Sequence, residues 1–137
     1  MKAQISLRSA QTIDGETDTN EMTAYGTWER HGDGARLRYT ESAQDGGASV
    51  MVTVCGTQMV IERCGEISSR LVLEEGKRQL CRYETPYGNM TLYAEAKRLL
   101  FSDLEHTAIL RAAYTLDMNG AYTEQEIEFR IKEVSQC

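Results

Sequence analysis

Two charged residues stand on otherwise apolar faces of this 137-residue chain. Alternation along one stretch puts Glu41 on the side of Leu37 and Tyr39. Alternation along another puts Arg63 on the side of Met59 and Ile61. Where both faces point inward, a carboxylate and a guanidinium lie in a protein interior, and burying either alone costs several kcal/mol. The two are therefore expected to pair with each other or with other interior polar groups. Tyr83, Thr85 and Tyr114 supply hydroxyls by the same parity. Such a cluster reads in two ways. It is an ion pair that fixes strand register, or it is a ligand anchor in which Arg63 takes a carboxylate or phosphate. An enzyme working through Glu41, Arg63 and the tyrosines is a third and weaker reading.

Other chemistries lack their parts. No G-x-S-x-G elbow occurs, and Gly32-Asp33-Gly34 lacks the lysine and the helix of a phosphate loop. His31 and His106 both read as exposed turn residues, which leaves no base for a Ser–His–acid triad. The acidic pairs Glu74-Glu75 and Glu124/Glu126 read as turn or solvent-face residues. Cys55, Cys64, Cys81 and Cys137 form no C-x-x-C pair and read as free thiols of a reducing compartment. No metal and no cofactor is expected, and the chain reads as a non-enzyme.

The elements that position these residues are strands. Glycine punctuates the chain at Asp14-Gly15, Gly32-Asp33-Gly34, Asp45-Gly46-Gly47, Glu75-Gly76, Tyr87-Gly88 and Asn119-Gly120, among others. Asn119-Gly120 suits a type I′ hairpin turn, and Thr85-Pro86-Tyr87-Gly88 suits a type I turn. Between the breaks the pattern has period two, as in Val50, Val52, Val54 and in Ile127, Phe129, Ile131. Strands are expected near 2–13, 21–31, 35–43, 48–55, 58–64, 66–74, 77–85, 89–102, 106–118 and 121–134. The segment 94–105 has helix-like spacing at Leu99, Leu100 and Leu104, but it lacks an N-cap and lies between strong strands. Trp28 reads as a core plug, with Gly26 beside it permitting close packing.

Ten consecutive strands with short turns suggest an antiparallel up-and-down meander. Closing it into a barrel removes the exposed edges of so large a sheet. A two-sheet sandwich is the alternative, but it requires longer crossovers. The length fits one domain spanning residues 1–137. The net charge of −6 and scattered basic residues argue against nucleic acid as a partner. The first residues carry no secretory leader, and no apolar run exceeds four residues, so a cytoplasmic location away from membranes is expected.

The segments Tyr39-Thr40-Glu41, Val60-Ile61-Glu62-Arg63-Cys64-Gly65, Tyr83-Glu84-Thr85-Pro86-Tyr87-Gly88 and Tyr114-Thr115-Leu116 follow one another in an order that resembles the YwiB-like family of small bacterial proteins. The resemblance runs from about residue 20 to residue 134. It implies a calycin-like β-barrel of eight to ten strands and carries little about activity. The leading expectation is a barrel that binds a small apolar or anionic ligand through Glu41, Arg63, Tyr83 and Tyr114. The alternative is a side-chain-filled interaction module, with a homodimer as one form of it. Its apolar patch is expected from Met51, Ile109 and Ala113 on the outward parity.

Overall fold

A computed structural model describes residues 1–42 and 47–134. It has ten strands, β1 (Lys2–Ile13), β2 (Glu16–His31), β3 (Gly34–Thr40), β4 (Ser49–Cys55), β5 (Gln58–Cys64), β6 (Ser68–Glu74), β7 (Arg78–Thr85), β8 (Gly88–Asp103), β9 (Thr107–Met118) and β10 (Ala121–Glu133). Each strand pairs antiparallel with its neighbour in sequence, and β1 pairs with both β2 and β10, so the sheet closes on itself. The expected closed meander is what forms, and residues 94–103 belong to a strand rather than a helix.

Local chemistry explains the hairpins. Asp14 and Gly15 both have positive φ, as do Asn119 and Gly120, which is the backbone of a type I′ turn. That two-residue turn starts β2 at Glu16, five residues earlier than periodicity suggests. Thr17 to Asn20 carry no apolar alternation, yet they pair with β1 because the turn dictates it. At the far end, β3 stops at Thr40 rather than residue 43. The turn read at Asp45-Gly46-Gly47 lies mostly outside the described residues, as does residue 43 itself.

At Gly26 and Gly34 a neighbouring strand's backbone comes too close for any side chain. A Cβ on Gly26 would overlap the Arg38 carbonyl oxygen, and one on Gly34 would overlap that of Val54. Only a residue without a side chain fits there. It is therefore backbone, and not the indole, that exploits Gly26.

One half of the interior is filled. Trp28, Phe129, Ile5, Leu37, Met59, Leu73, Leu110, Ile131 and Val52 are its largest fully buried side chains. The Trp28 ring meets Phe101 edge-on at 6.1 Å, so the indole is indeed a plug. This end is also tied across its rim. Arg30 donates to Asp103 through Nε (2.7 Å) and Nη2 (2.8 Å), and to Glu133 through Nη1 (2.9 Å). One guanidinium thereby joins β2, β8 and β10.

The outer face is charged, with Arg38, Glu62, Arg70 and Arg82 on one band and Arg111 and Glu128 on another. This suits water, whereas a lipid-embedded barrel turns an apolar band outward. Among the described residues no helix is long and apolar enough to cross a membrane.

The wall is irregular at one seam. β6 and β7 pair only over Ser68–Arg70 against Glu84–Arg82, and then again at a lone bridge between Glu74 and Lys77. The tip of that hairpin turns instead onto β8, where the register shifts between Ala96 and Arg98. There the Glu75 carboxylate accepts the Leu99 N–H at 2.7 Å.

Candidate functional site

The opposite end of the barrel is polar. Strand register places Tyr39, Val50, Arg63, Ser69 and Tyr83 side by side around the inner wall, each directly across from the next. Glu41 lies one inward step beyond Tyr39. Its carboxylate is buried and faces Arg63, with Arg63 Nη2 at 2.6 Å from Glu41 Oε1. The pairing expected from parity is therefore present. It is asymmetric, because the Glu41 side chain is 8% exposed and that of Arg63 is 37% exposed.

The contact lies off the hydrogen-bond line, so charge rather than directed bonding holds it. Glu41 Oε1 and Arg63 Nε are buried and carry no hydrogen bond. The Glu41 backbone is fixed by its N–H donating to the Ala48 carbonyl at 2.8 Å.

Three tyrosines complete the arrangement. Burial pushes the Tyr39 hydroxyl above its usual pKa; the nearby Glu41 charge adds to this and Arg63 opposes it. Burial likewise raises Tyr83 against the pull of Arg63, and raises Tyr114, to which Tyr83 is a neighbour. Tyr114 reaches the group from β9 on the other wall. The structure thus brings Glu41, Arg63, Tyr83 and Tyr114 to one end of the barrel. Thr85 is not among them, because its hydroxyl donates to the Gly88 carbonyl (2.7 Å) and accepts the Tyr87 N–H (3.2 Å) within the turn.

Tyr39 was placed on the inward parity of Glu41 but was not counted among the site hydroxyls. The polar continuation of β1, where Ile5 and Leu7 give way to Ser9 and Gln11 on the same parity, escaped the sequence reading. The signal was present, since an inward face that turns from apolar to polar marks a mouth. Around it Leu7, Met22, Tyr83 and Ile127 are only partly buried. Two solvent-open clefts reach Arg63 and Ser69, of about 420 Å³ and about 710 Å³. Accessible space therefore meets Arg63 at the rim and the seam; a further cleft of about 460 Å³ opens at the opposite end beside Met59 and Phe101, away from the ion pair.

Two surface expectations change. Glu74 is buried, not on a solvent face, because its carboxylate holds Lys77 Nζ at 2.7 Å; hydrogen bonds from Lys77 and Gln58 keep its pKa low. Met51, Ile109 and Ala113 do point outward, but each is half-buried among charged neighbours such as Arg38, Glu62, Arg130 and Glu126, so they form no exposed patch. The exposed apolar side chains include Leu80 and Tyr93, which face each other across β7 and β8. His31 and His106 are exposed, beside Glu29 and Glu133 respectively. Cys55, Cys64 and Cys81 are free thiols, and Cys137 lies outside the described residues.

A crystal structure of ywiB protein from Bacillus subtilis superimposes with a TM-score of 0.85 over 98% of this chain and 92% of that one, at 18% identity. At that identity the likeness speaks for the fold, a calycin-like ten-stranded barrel. No curated protein matches. The chain belongs to the family described as "Domain of unknown function (DUF1934)", whose model matches residues 5–131.

Proposed function

We propose that this protein is a non-catalytic binding barrel. It takes a small, largely apolar molecule whose polar end carries a hydrogen-bond acceptor, seated at the mouth formed by Arg63, Tyr39, Tyr83 and Tyr114. The observation that carries this reading is the buried Arg63 Nε, a donor without an acceptor, set where the inner wall turns polar and two solvent-open clefts reach it. An unmet buried donor costs about 1–3 kcal/mol, which a ligand acceptor recovers. Arg63 already has its counter-charge in Glu41. The mouth is thus close to neutral, and a carbonyl, hydroxyl or singly charged carboxylate suits it better than a dense anion.

The same geometry weighs against catalysis. Burial keeps the three hydroxyls protonated near neutral pH, so they donate hydrogen bonds and are poor bases. The carboxylate is committed to Arg63. Free thiols and a charged outer face fit work in a reducing, aqueous compartment, which we take to be the cytoplasm.

The test is to purify the protein from its native host and release bound small molecules by denaturation for mass spectrometry. A Tyr83→Phe/Tyr114→Phe protein, which keeps its core volume, is processed in parallel. A compound enriched in the wild type and depleted in the variant is expected. Equal recovery from both proteins, or a crystal structure with side chains closing the mouth, defeats the proposal.

A second reading rests on the exposed Leu80–Tyr93 pair, 58% and 42% accessible, as the centre of a self-association face. Light scattering coupled to size-exclusion chromatography decides it. A monomer at all concentrations removes it.

A further inference from the structure

The seam between β6 and β7 carries a second feature, on the outer face. Arg70 and Arg82 are direct cross-strand partners. Like charges placed opposite each other across a ladder repel, and natural sheets ordinarily set a carboxylate between them. Here none is engaged. Glu62 stands across β5 from Arg70, and Glu84 is two residues from Arg82, but among the described residues neither arginine forms an ion pair or hydrogen bond. Other cations near the seam are answered: Arg63 by Glu41, Arg78 by Asp117 and Lys77 by Glu74.

The two guanidinium groups line the cleft of about 420 Å³, together with Arg63, Ser68, Ser69 and Thr91. Two unpaired outward arginines, the already paired Arg63 from the inner side of the seam, and three hydroxyl side chains thus line one solvent-open space in which, among the described residues, Glu84 is the acidic side chain, on a chain whose net charge is −6. The exposed Leu80 forms an apolar flank of the same cleft. The regular β6–β7 ladder stops directly after the Arg70–Arg82 pair. The wall can therefore adjust there without breaking paired strands.

We propose that this cleft is a binding site for a phosphate group, borne by a small organic molecule, with Arg70 and Arg82 gripping its oxygens and Leu80 covering part of its apolar remainder. Planar guanidinium forks match phosphate oxygens in bidentate pairs. The anion converts a repulsive pair into two attractive contacts. The volume exceeds what a bare phosphate fills and lies within the range of small-molecule pockets. A nucleic acid is a poorer occupant, since the chain carries a net charge of −6 and Glu62 interrupts the band of arginines that successive phosphates would need. The site goes beyond the mouth proposal and stands separately from it. The two meet at Arg63 and Ser69, both of which are left intact in the test.

The experiment compares inorganic phosphate with chloride at matched ionic strength, on wild-type protein and on Arg70→Gln/Arg82→Gln, by thermal unfolding and isothermal titration calorimetry. Phosphate at about ten times its dissociation constant is expected to raise the wild-type Tm by about 5 °C over chloride. The double variant is expected to lose that rise and to bind phosphate at least tenfold more weakly. In chloride its Tm is expected to equal or exceed the wild type, because the repulsion is gone. The single variants R70Q and R82Q each give a partial loss. Tyr83→Phe/Tyr114→Phe retains the full phosphate response, which separates this site from the mouth. A wild-type protein that responds alike to phosphate and matched chloride overturns the proposal, as does a double variant that keeps the phosphate rise.

Discussion

Replacing Arg63 with alanine leaves the Glu41 carboxylate in place without its cation. Removing one partner of a fully buried ion pair costs about 3–5 kcal/mol, because the remaining charge has lost its solvent and its counter-charge together. This pair is not fully buried. Glu41 is sealed at 8% side-chain exposure, but Arg63 is open at 37%, so water already screens part of the interaction and can approach the carboxylate once the arginine is gone. The expected loss is therefore about 2–3 kcal/mol. A chain of 137 residues has an unfolding entropy of about 0.29 kcal/mol/K, so the midpoint should fall by about 7–10 °C.

Equilibrium denaturation at pH 7 of the wild type, Arg63→Met, Glu41→Gln and the double variant measures the coupling directly. If the pair acts as a unit, each single change costs more than its share, and the double variant recovers about 1–2 kcal/mol over the sum of the two. A midpoint within 2 °C of wild type for Arg63→Ala, or strictly additive costs in the cycle, would refute the interior pairing and with it the constraint that holds the mouth in shape.

Other outcomes follow from different parts of the barrel. Arg30 holds the Asp103 and Glu133 carboxyls below their usual range, chiefly through its hydrogen bonds to them. Depressed folded-state values give stability that is present above the unfolded values near 4 and is lost as pH falls through the folded ones, so the gap between wild type and Arg30→Gln should be widest at pH 7 and narrow below about pH 4. A gap independent of pH in urea titrations contradicts this. Burial pushes the Cys81 thiol up, so native-state maleimide labelling followed by mass spectrometry should modify Cys55 and Cys64 and spare Cys81 until unfolding; rapid labelling of Cys81 speaks against the closed wall at the seam. Gly26→Ala drives a methyl into the Arg38 carbonyl, which is backbone and cannot turn aside, so a loss of about 3 kcal/mol is expected; a neutral result in denaturant unfolding means that β2 and β3 can move apart at this point at little cost.

Most of the wall was legible in the sequence because a barrel strand has one wet face and one dry face. Val50, Val52 and Val54 or Ile127, Phe129 and Ile131 could hardly alternate for any other reason. Legibility failed where pairing was imposed from outside the segment. Residues 16–20 are polar throughout and became strand because a two-residue turn laid them against β1. Glu74 looked like a turn residue and is buried, because the hairpin tip folds onto β8 instead of standing free, and no local pattern announces that. The Glu41–Arg63 pair was readable because a charge on an apolar parity demands a partner. The Arg70–Arg82 opposition was not, because both sit on a solvent face where charge is ordinary, and only the register reveals that they oppose each other.

The contrast between the two ends argues for where a ligand acts. At the Trp28 end, one arginine spends four hydrogen bonds lashing β2, β8 and β10 together over a filled core. Such an end resists opening, and the one unpaired donor recorded in its core, Trp28 Nε1, is sealed among packed side chains where no visitor reaches it. At the Arg63 end the inner wall turns polar, the ion pair is off-line, and a buried donor has no acceptor. A sequence selected only for a stable barrel gains nothing from that arrangement, since an apolar pair of similar volume is often as stable as a buried ion pair or more so. If Glu41→Leu/Arg63→Met proves at least as stable as wild type in denaturant titrations yet loses the compound that wild type carries, the polar mouth is kept for binding. If that variant is less stable by 2 kcal/mol or more, the pair is kept to hold the register of β3 and β5, and the case for a ligand at the mouth falls.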